Sequence, residues 1–341
     1  LAATGLANDL YGYGLKGLLP ATADDELKAR VVAARHAIRD RLEEAKLDGL
    51  IEPFSFSEFN PQSTIGENIV FGVVAGERLG NSDRTADPYF RAILSAEALT
   101  EPLAEIGLRI AENGVEVFSD LPSGHPLFER FSMIRSSDLD YYAELLEERH
   151  NRDGDARLSE VATHKLISLS LDYIEPRHRL GLVTPELTAR ILRARNSFKE
   201  YLPEGYSGEV EFYDPDCFMA KAPIRDNLLF GRVAQNIANA EQRVAEFLKQ
   251  ALPELGMEQL VYSLGLDYDV GPRGQALFAP QRASVSLARA LVRQPRILIM
   301  EDALKEFGAD ACEAVMSQIA ERMQDRTLIT TGSSIAQNVA W

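Results

Sequence analysis

A helix-rich α/β fold with one parallel strand–helix–strand unit and an internal duplication is predicted by three observations. Residues 281–331 read as helix, short apolar strand, helix and strand. Two stretches of the chain recur in the same order at a nearly constant offset. Most other segments carry helical periodicity.

The repeated stretches come first along the chain. "LKARVVAARHAIRDRL" (27–42) aligns without a gap on "LTARILRARNSFKEYL" (187–202), 160 residues later, with six identical positions. Leu27, Val31, Val32, Ala34, Ile38 and Leu42 in one, and Leu187, Ile191, Leu192, Ala194, Phe198 and Leu202 in the other, define a helical apolar face. Arg30, Arg35, Arg190 and Arg195 recur in register. Downstream, "IEPFSFSEFNPQSTIGENIVFG" (51–72) aligns on "VEFYDPDCFMAKAPIRDNLLFG" (210–231), 159 residues later. Glu52/Glu211, Phe59/Phe218, Ile65/Ile224, Asn68/Asn227, Phe71/Phe230 and Gly72/Gly231 coincide. Two aligned blocks in one order argue for duplication rather than chance likeness of amphipathic helices.

Each copy is expected to continue as helix, from about Pro88 to Gly107 and from about Ile237 to Gly265, and "IGLRIAENG" (106–114) echoes "LGLDYDVGPRG" (264–274). The polar run 147–160 reads as a solvated linker. The expected organisation is a first repeat over 1–150, a linker and helix over 151–177, and a second repeat over 178–341 ending in the α/β part. In that part, residues 281–294 are expected to be helical with Val285, Ala288 and Leu291 or Val292 on one face. "RILIM" (296–300) is expected to be a strand buried on both faces. A helix over 309–324 and a strand "TLITT" (327–331) complete the unit.

Composition excludes several function classes. Lys and Arg total 36 against 52 Asp and Glu, a net charge of −16, which argues against nucleic acid as a partner. Cys217 and Cys312 are isolated, forming neither a disulfide framework nor a paired metal motif, and suit a reducing compartment. No apolar run reaches the length of about 20 residues needed to span a bilayer. The chain starts at Leu1 rather than Met, so a fragment of a longer polypeptide is expected. The five histidines show no metal-ligand spacing, and "GYSGE" (205–209) lacks the spacing of a nucleophile elbow. "GYGLKGL" (12–18) has Leu18 where a P-loop lysine belongs and is read as a loop.

The segment "LFAPQRASVSLARALVRQPRILIMEDALKEFGAD" followed by "RTLITTGSS" resembles the nucleotide-binding domain of the ATP-binding cassette (ABC) family, and "TIGENIVFG" and "IRDNLLFG" resemble that family's segment after the Q-loop. The resemblance implies a partial sheet of the P-loop NTPase kind with helical subdomains, and use of ATP and Mg²⁺. It places Ala279 and Gln281 in the signature loop, Glu301 and Asp302 at the Walker B positions, and Ser333 at the switch-histidine position. The signature loop of the family sits at a helix N-terminus, where backbone N–H groups face the γ-phosphate. Here Phe278, Ala279 and Pro280 replace its serine and two glycines, adding bulk and removing one N–H. Glu301 and Asp302 keep both carboxylates but exchange their lengths, and phosphoryl transfer is sensitive to displacements of about 1 Å. Gln62 lies in the Q-loop region of the first copy, and Lys221 stands at its place in the second.

A complete GxxxxGK[ST] motif is absent from the 341 residues, so this polypeptide alone is expected to bind ATP poorly. The resemblance implies a membrane-spanning transporter domain as partner, a second nucleotide-binding domain or a homodimer, and a cytoplasmic place against the inner face of a membrane. Two readings remain open. One is a degenerate part of a transport ATPase, favoured by the retained acids; the other is an ATPase-inactive regulatory or assembly module, favoured by Phe278, Ala279, Pro280 and Ser333. An unrelated α/β enzyme would need a convergent polar site that the sequence does not display.

Overall fold

The computed structural model describes residues 4–80, 83–122, 125–151 and 158–331. It comprises helices α1 (Ala7–Lys16), α2 (Asp25–Glu44), α3 (Ile65–Val70), α4 (Glu77–Gly80), α5 (Pro88–Ala96), α6 (Thr100–Phe118), α7 (Pro126–Phe131) and α8 (Leu139–Asn151). These are followed by α9 (Glu160–Leu171), α10 (Glu175–His178), α11 (Pro185–Glu200), α12 (Ile224–Leu229), α13 (Ala240–Glu254), α14 (Glu258–Leu266), α15 (Ala279–Val292) and α16 (Ala309–Arg322). The strands are short: β1 (Ile51–Pro53), β2 (Gly72–Val74), β3 (Val210–Phe212), β4 (Gly231–Val233), β5 (Ile297–Glu301) and β6 (Thr327–Thr331). The fold is helix-rich α/β. Its two compact units are discontinuous in sequence: Pro20–Ala222 with Asp226–Ala251, and Leu1–Leu19 with Pro223–Arg225 and Leu252–Trp341.

In the larger unit the aligned stretches occupy matching places. Helices α2 and α11 begin at side-chain caps, Asp24 accepting from the Leu27 amide and Thr184 from the Leu187 amide. The strands pair crosswise and antiparallel. β1 pairs with β4, Ile51 opposite Val233 and Pro53 opposite Gly231, and β3 pairs with β2, Val210 opposite Val74 and Phe212 opposite Gly72. Gly72 and Gly231 are required by close approach, because a Cβ would lie 2.6 Å from the Glu211 carbonyl oxygen and 2.5 Å from that of Glu52. Between the ribbons, Phe54 and Tyr213 stack with ring centroids 3.9 Å apart.

The main core of this unit lies among α3, α5, α6, α9 and α11, where Phe90, Leu94, Leu103, Ile110, Leu166 and Phe198 are buried. Helix α6 presents Leu103, Ile106, Gly107, Ile110, Ala111 and Gly114 at helical spacing. Gly107 lets α9 approach so closely that a Cβ there would meet the Leu166 carbonyl oxygen at 2.0 Å. The expected linker is helical at its start, since α8 continues to Asn151, and its residues 152–157 lie outside the described residues. The sequence reading of helices over 88–107 and 237–265 is divided in the structure into α5 and α6, and α13 and α14.

In the smaller unit, β5 and β6 pair in parallel, Ile297 opposite Thr327 through Glu301 opposite Thr331, with α16 as the connection. Three sequence expectations need correction here. Strand β5 is buried on one face only: Leu298 and Met300 pack on Cys312, Val315, Met316 and Ile319, whereas Ile297 and Ile299 are 58% and 68% exposed. Among the described residues two strands form this sheet. The buried face of α15 runs through Gln281, Ser284 and Leu287, one position from the expected Val285–Ala288 face, and Val292 is 81% exposed. The shift arises because Gln281 is anchored inward by side-chain hydrogen bonds and fixes the helix rotation.

Residues 12–16, read as loop, belong to helix α1. Their glycine is a packing device: a Cβ at Gly14 would lie 1.8 Å from the Val261 carbonyl oxygen of α14, and one at Gly265 would lie 2.0 Å from that of Leu10. A glycine-rich sequence that resembles a turn is, in this place, two helices in contact through their backbones.

Candidate functional site

The sequence-derived site is carried by the start of α15 and the end of β5. Phe278 is extended, with φ −69° and ψ 162°, and precedes the helix; its ring is 75% exposed. Ala279 is half-buried and Pro280 exposed in the first turn, where proline's fixed φ suits helix initiation and its missing N–H removes one outward donor. Gln281 points inward. Its Oε1 accepts from the Phe278 amide at 3.0 Å and from the Tyr13 hydroxyl at 3.1 Å, while its Nε2 donates to Asp9 Oδ1 at 2.9 Å. All the polar atoms of this side chain are thereby used in fastening α15 to α1.

Glu301 closes β5 and Asp302 follows in the left-handed region, with φ 46°. The Asp302 amide donates to the Thr331 carbonyl oxygen at 3.1 Å, and its own carbonyl accepts from Lys305 at 3.2 Å. This turn carries both carboxylates outward, and both residues are exposed. No hydrogen bond or ion pair among the described residues joins Gln281 to either acid. Ser333 lies outside the described residues.

The resemblance implies Mg-ATP at this site. No group of three His, Cys, Asp or Glu among the described residues converges on a metal position. The signature turn holds a proline, and the sequence contains no P-loop lysine.

The larger unit contains a second polar centre, formed by the aligned stretches. Arg195, 1% exposed, donates from Nε to the Asn68 carbonyl at 2.8 Å and from Nη2 to Asn68 Oδ1 at 3.0 Å. Its Nη1 reaches the carbonyl oxygens of Ser55, Phe56 and Glu58 at 2.9, 2.8 and 2.8 Å. Arg35, 4% exposed, does the same in the opposite sense. Its Nε donates to the Asn227 carbonyl at 2.7 Å, its Nη2 to Asn227 Oδ1 at 3.3 Å, and its Nη1 to the carbonyl oxygens of Asp214, at 3.1 Å, and Pro215. Each guanidinium also covers an aromatic ring, Arg195 over Phe71 at 4.4 Å and Arg35 over Phe230 at 4.5 Å.

Asn68 and Asn227 complete the clasps. Asn68 Nδ2 donates to the Asn60 carbonyl at 2.8 Å while its Oδ1 accepts the Asn60 amide at 2.9 Å; Asn227 makes the same pair of bonds, both 2.8 Å, with Met219. Burial lowers Arg195 to about 10 and lowers Arg35 in the same direction, but both remain guanidinium ions at neutral pH. Phe71 and Phe230 both hold left-handed φ values, 48° and 43°. Bulky side chains adopt this conformation only where surrounding contacts enforce it.

The two centres differ where the sequences differ. Gln62 is buried, its Nε2 donating to Asn236 Oδ1 at 3.1 Å and its Oε1 accepting the Gln235 amide at 2.9 Å. At the corresponding place Lys221 is exposed, and its amide donates to Glu211 at 2.8 Å. The recurrence of Arg35 and Arg195 is plain in the sequence, whereas their inward orientation emerges only in the fold. The available signal was phase: Arg35 stands four residues after Val31 and three before Ile38, on the apolar face, as Arg195 does after Ile191 and before Phe198.

These elements place the chain, over about a third of its length, among proteins similar to the nucleotide-binding domains of ABC transporters. It is 25% identical over 142 residues, 41% of this chain and 23% of the relative, to the uncharacterized ABC transporter ATP-binding protein YwjA of Bacillus subtilis. It is 29% identical over 131 residues, 38% of this chain and 14% of the relative, to ABC transporter B family member 1 of Dictyostelium discoideum. Over 115 residues, 33% of this chain and 9% of the relative, it is 30% identical to P-glycoprotein 14 of Caenorhabditis elegans. The matched part thus spans less than a quarter of these relatives' length. No family model matches the chain, and no solved structure matches it.

Proposed function

We propose that this chain is a degenerate part of an ABC-type transport ATPase that couples nucleotide-driven motion to a membrane-spanning partner and does not hydrolyse ATP alone. The observation that carries the reading is the state of Gln281 and its loop: helix, strand and turn follow the order of the family, while Pro280 and the inward Gln281 take away the phosphate-facing chemistry. ATP and Mg²⁺ then belong to the assembled transporter, in which a second nucleotide-binding domain or a second copy of this chain supplies the cradle. The aligned stretches are read as copies of one ancestral unit, the first within 1–150 and the second within 178–341, joined by 151–177. The place of action is cytoplasmic, peripheral to the inner face of a membrane; no helix among the described residues is long and apolar enough to cross one.

A second reading, an ATPase-inactive regulatory or assembly module, is favoured by the two arginine clasps. They spend buried charge on internal rigidity, which suits a scaffold better than a moving catalytic subdomain. Calorimetric titration of Mg-ATP into the 341-residue chain and into the Glu301→Ala, Asp302→Ala double variant tests both. Absence of binding is expected. Tight binding abolished by the double substitution would make the acid pair a working metal site and overturn the degenerate reading.

A further inference from the structure

The two arginine clasps are built alike, yet their outer ends are finished differently. Beyond Arg195, one helical turn along α11, the Lys199 ammonium lies 5.0 Å from the Phe56 ring centroid and 5.4 Å from that of Phe212. Phe56 in turn meets Phe71 edge to face at 5.4 Å. This end is a small aromatic box with a cation as lid, filled by the chain's own rings.

Beyond Arg35, the aligned residues are Arg39 for Lys199, Phe230 for Phe71, Pro53 for Phe212 and Pro215 for Phe56. The cation and the central ring are kept, and the two outer rings are replaced by prolines. A cavity of about 280 Å³ opens there, with Arg39, Pro53, Pro215 and Phe230 in its wall and Leu42 and Ile51 as further apolar lining. Its volume is near the lower end of small-molecule pockets, about 300 Å³. The mouth carries both signs of charge: Arg39 pairs with Glu43 at 3.8 Å, His36 faces Asp216 at 3.7 Å, and Asp48 lines the same cavity.

We infer that this cavity is a binding site for a small, neutral, single-ring aromatic molecule that carries a hydrogen-bond donor, as a phenol does. The ring takes the place that Phe212 and Phe56 fill at the other end, beside Phe230 and under the Arg39 guanidinium. The donor turns to the carboxylates of Glu43 and Asp48 at the mouth. Balanced charge there gives no preference for an anion or a cation. Arg35 stays outside the recognition, because its N–H groups are already committed to backbone carbonyls and Asn227. The inference is independent of whether the chain binds nucleotide.

The test uses 4-iodophenol as probe, titrated calorimetrically into the full chain and soaked into crystals for the anomalous signal of iodine. Saturable binding of one equivalent is expected, with iodine density between Phe230 and Arg39. A Pro53→Phe, Pro215→Phe variant, which restores the rings of the filled end, is expected to weaken binding at least tenfold while keeping the far-UV spectrum and Tm of the parent. Arg39→Met, at an exposed position tolerant of change, is expected to weaken it roughly two- to fivefold by loss of the cation over the ring, and gives the answer if the double variant fails to fold. No saturable binding, density elsewhere, or binding unchanged in a folded variant of either kind would overturn the assignment.

Discussion

The larger unit buries its charges and the smaller one displays them. Arg35 and Arg195 are enclosed with acceptors for each donor nitrogen, whereas Glu301 and Asp302 stand at a strand end facing solvent. Among the described residues no buried side-chain polar atom lacks a partner. Desolvating a guanidinium is tolerable only when its hydrogen bonds are replaced, and the aligned loops supply carbonyls for that purpose. The difference teaches where resemblance carries information. A strand followed by two acids marks a place in a fold, and chemistry there depends on the neighbours those acids meet. The clasps resemble no catalytic motif, and they fix the architecture.

The sharpest way to break this contrast is to remove one clasp. Arg195→Leu leaves the carbonyls of Ser55, Phe56, Glu58 and Asn68 without their donor, and is expected to lower unfolding free energy by about 4 kcal/mol in urea denaturation. A loss under 1 kcal/mol would show the guanidinium to be incidental. Next comes Gly231→Ala, whose Cβ would meet the Glu52 carbonyl oxygen at 2.5 Å and push β1 from β4; about 2 kcal/mol of destabilisation is expected by the same measurement.

Glu175 sharpens the comparison with an acid that is held rather than displayed. Burial alone would raise its carboxyl, but the amides of Val183, Gly181 and Leu182 and the Tyr173 hydroxyl together hold it below the ordinary range. A depressed folded pKa contributes stability that is present above the unfolded value of about 4.3 and is lost as pH falls through the folded one. Glu175→Gln should therefore destabilise the protein slightly at neutral pH, and the difference between the proteins should shrink on acidification below about pH 4. A gap that widens in acid would reverse the sign assigned here. The smallest effect belongs to Glu301→Ala with Asp302→Ala, expected within about 0.5 kcal/mol of the parent.

Much of the local structure was legible in the sequence. Helix α15, strand β5, helix α16 and strand β6 follow the expected order because apolar periodicity and length are local properties. Pro280 in a first helical turn was legible for the same reason. What escaped was tertiary. The crosswise pairing of β1 with β4 and β3 with β2 brings together residues far apart in sequence, and three-residue strands carry almost no alternation to announce it. The exposure of Ile297 and Ile299 depends on what covers a sheet, which strand composition does not encode. In α15, Gln281 set the rotation through Asp9 and Tyr13, and a polar residue at the centre of a buried face is invisible to a hydrophobic pattern.

The crosswise pairing also sets a schedule for synthesis. Pro53 must wait for Gly231, 178 residues later, before β1 has a partner. At about 5–20 residues per second that is an interval on the order of 10 to 40 s. Throughout it Arg35 has left the ribosome without Asn227, and the ring of Phe54 without Tyr213. The nascent chain thus carries an unfinished apolar edge throughout that interval, a period in which a chaperone, or a neighbouring chain on the same message, competes for the place that a later segment of its own will fill.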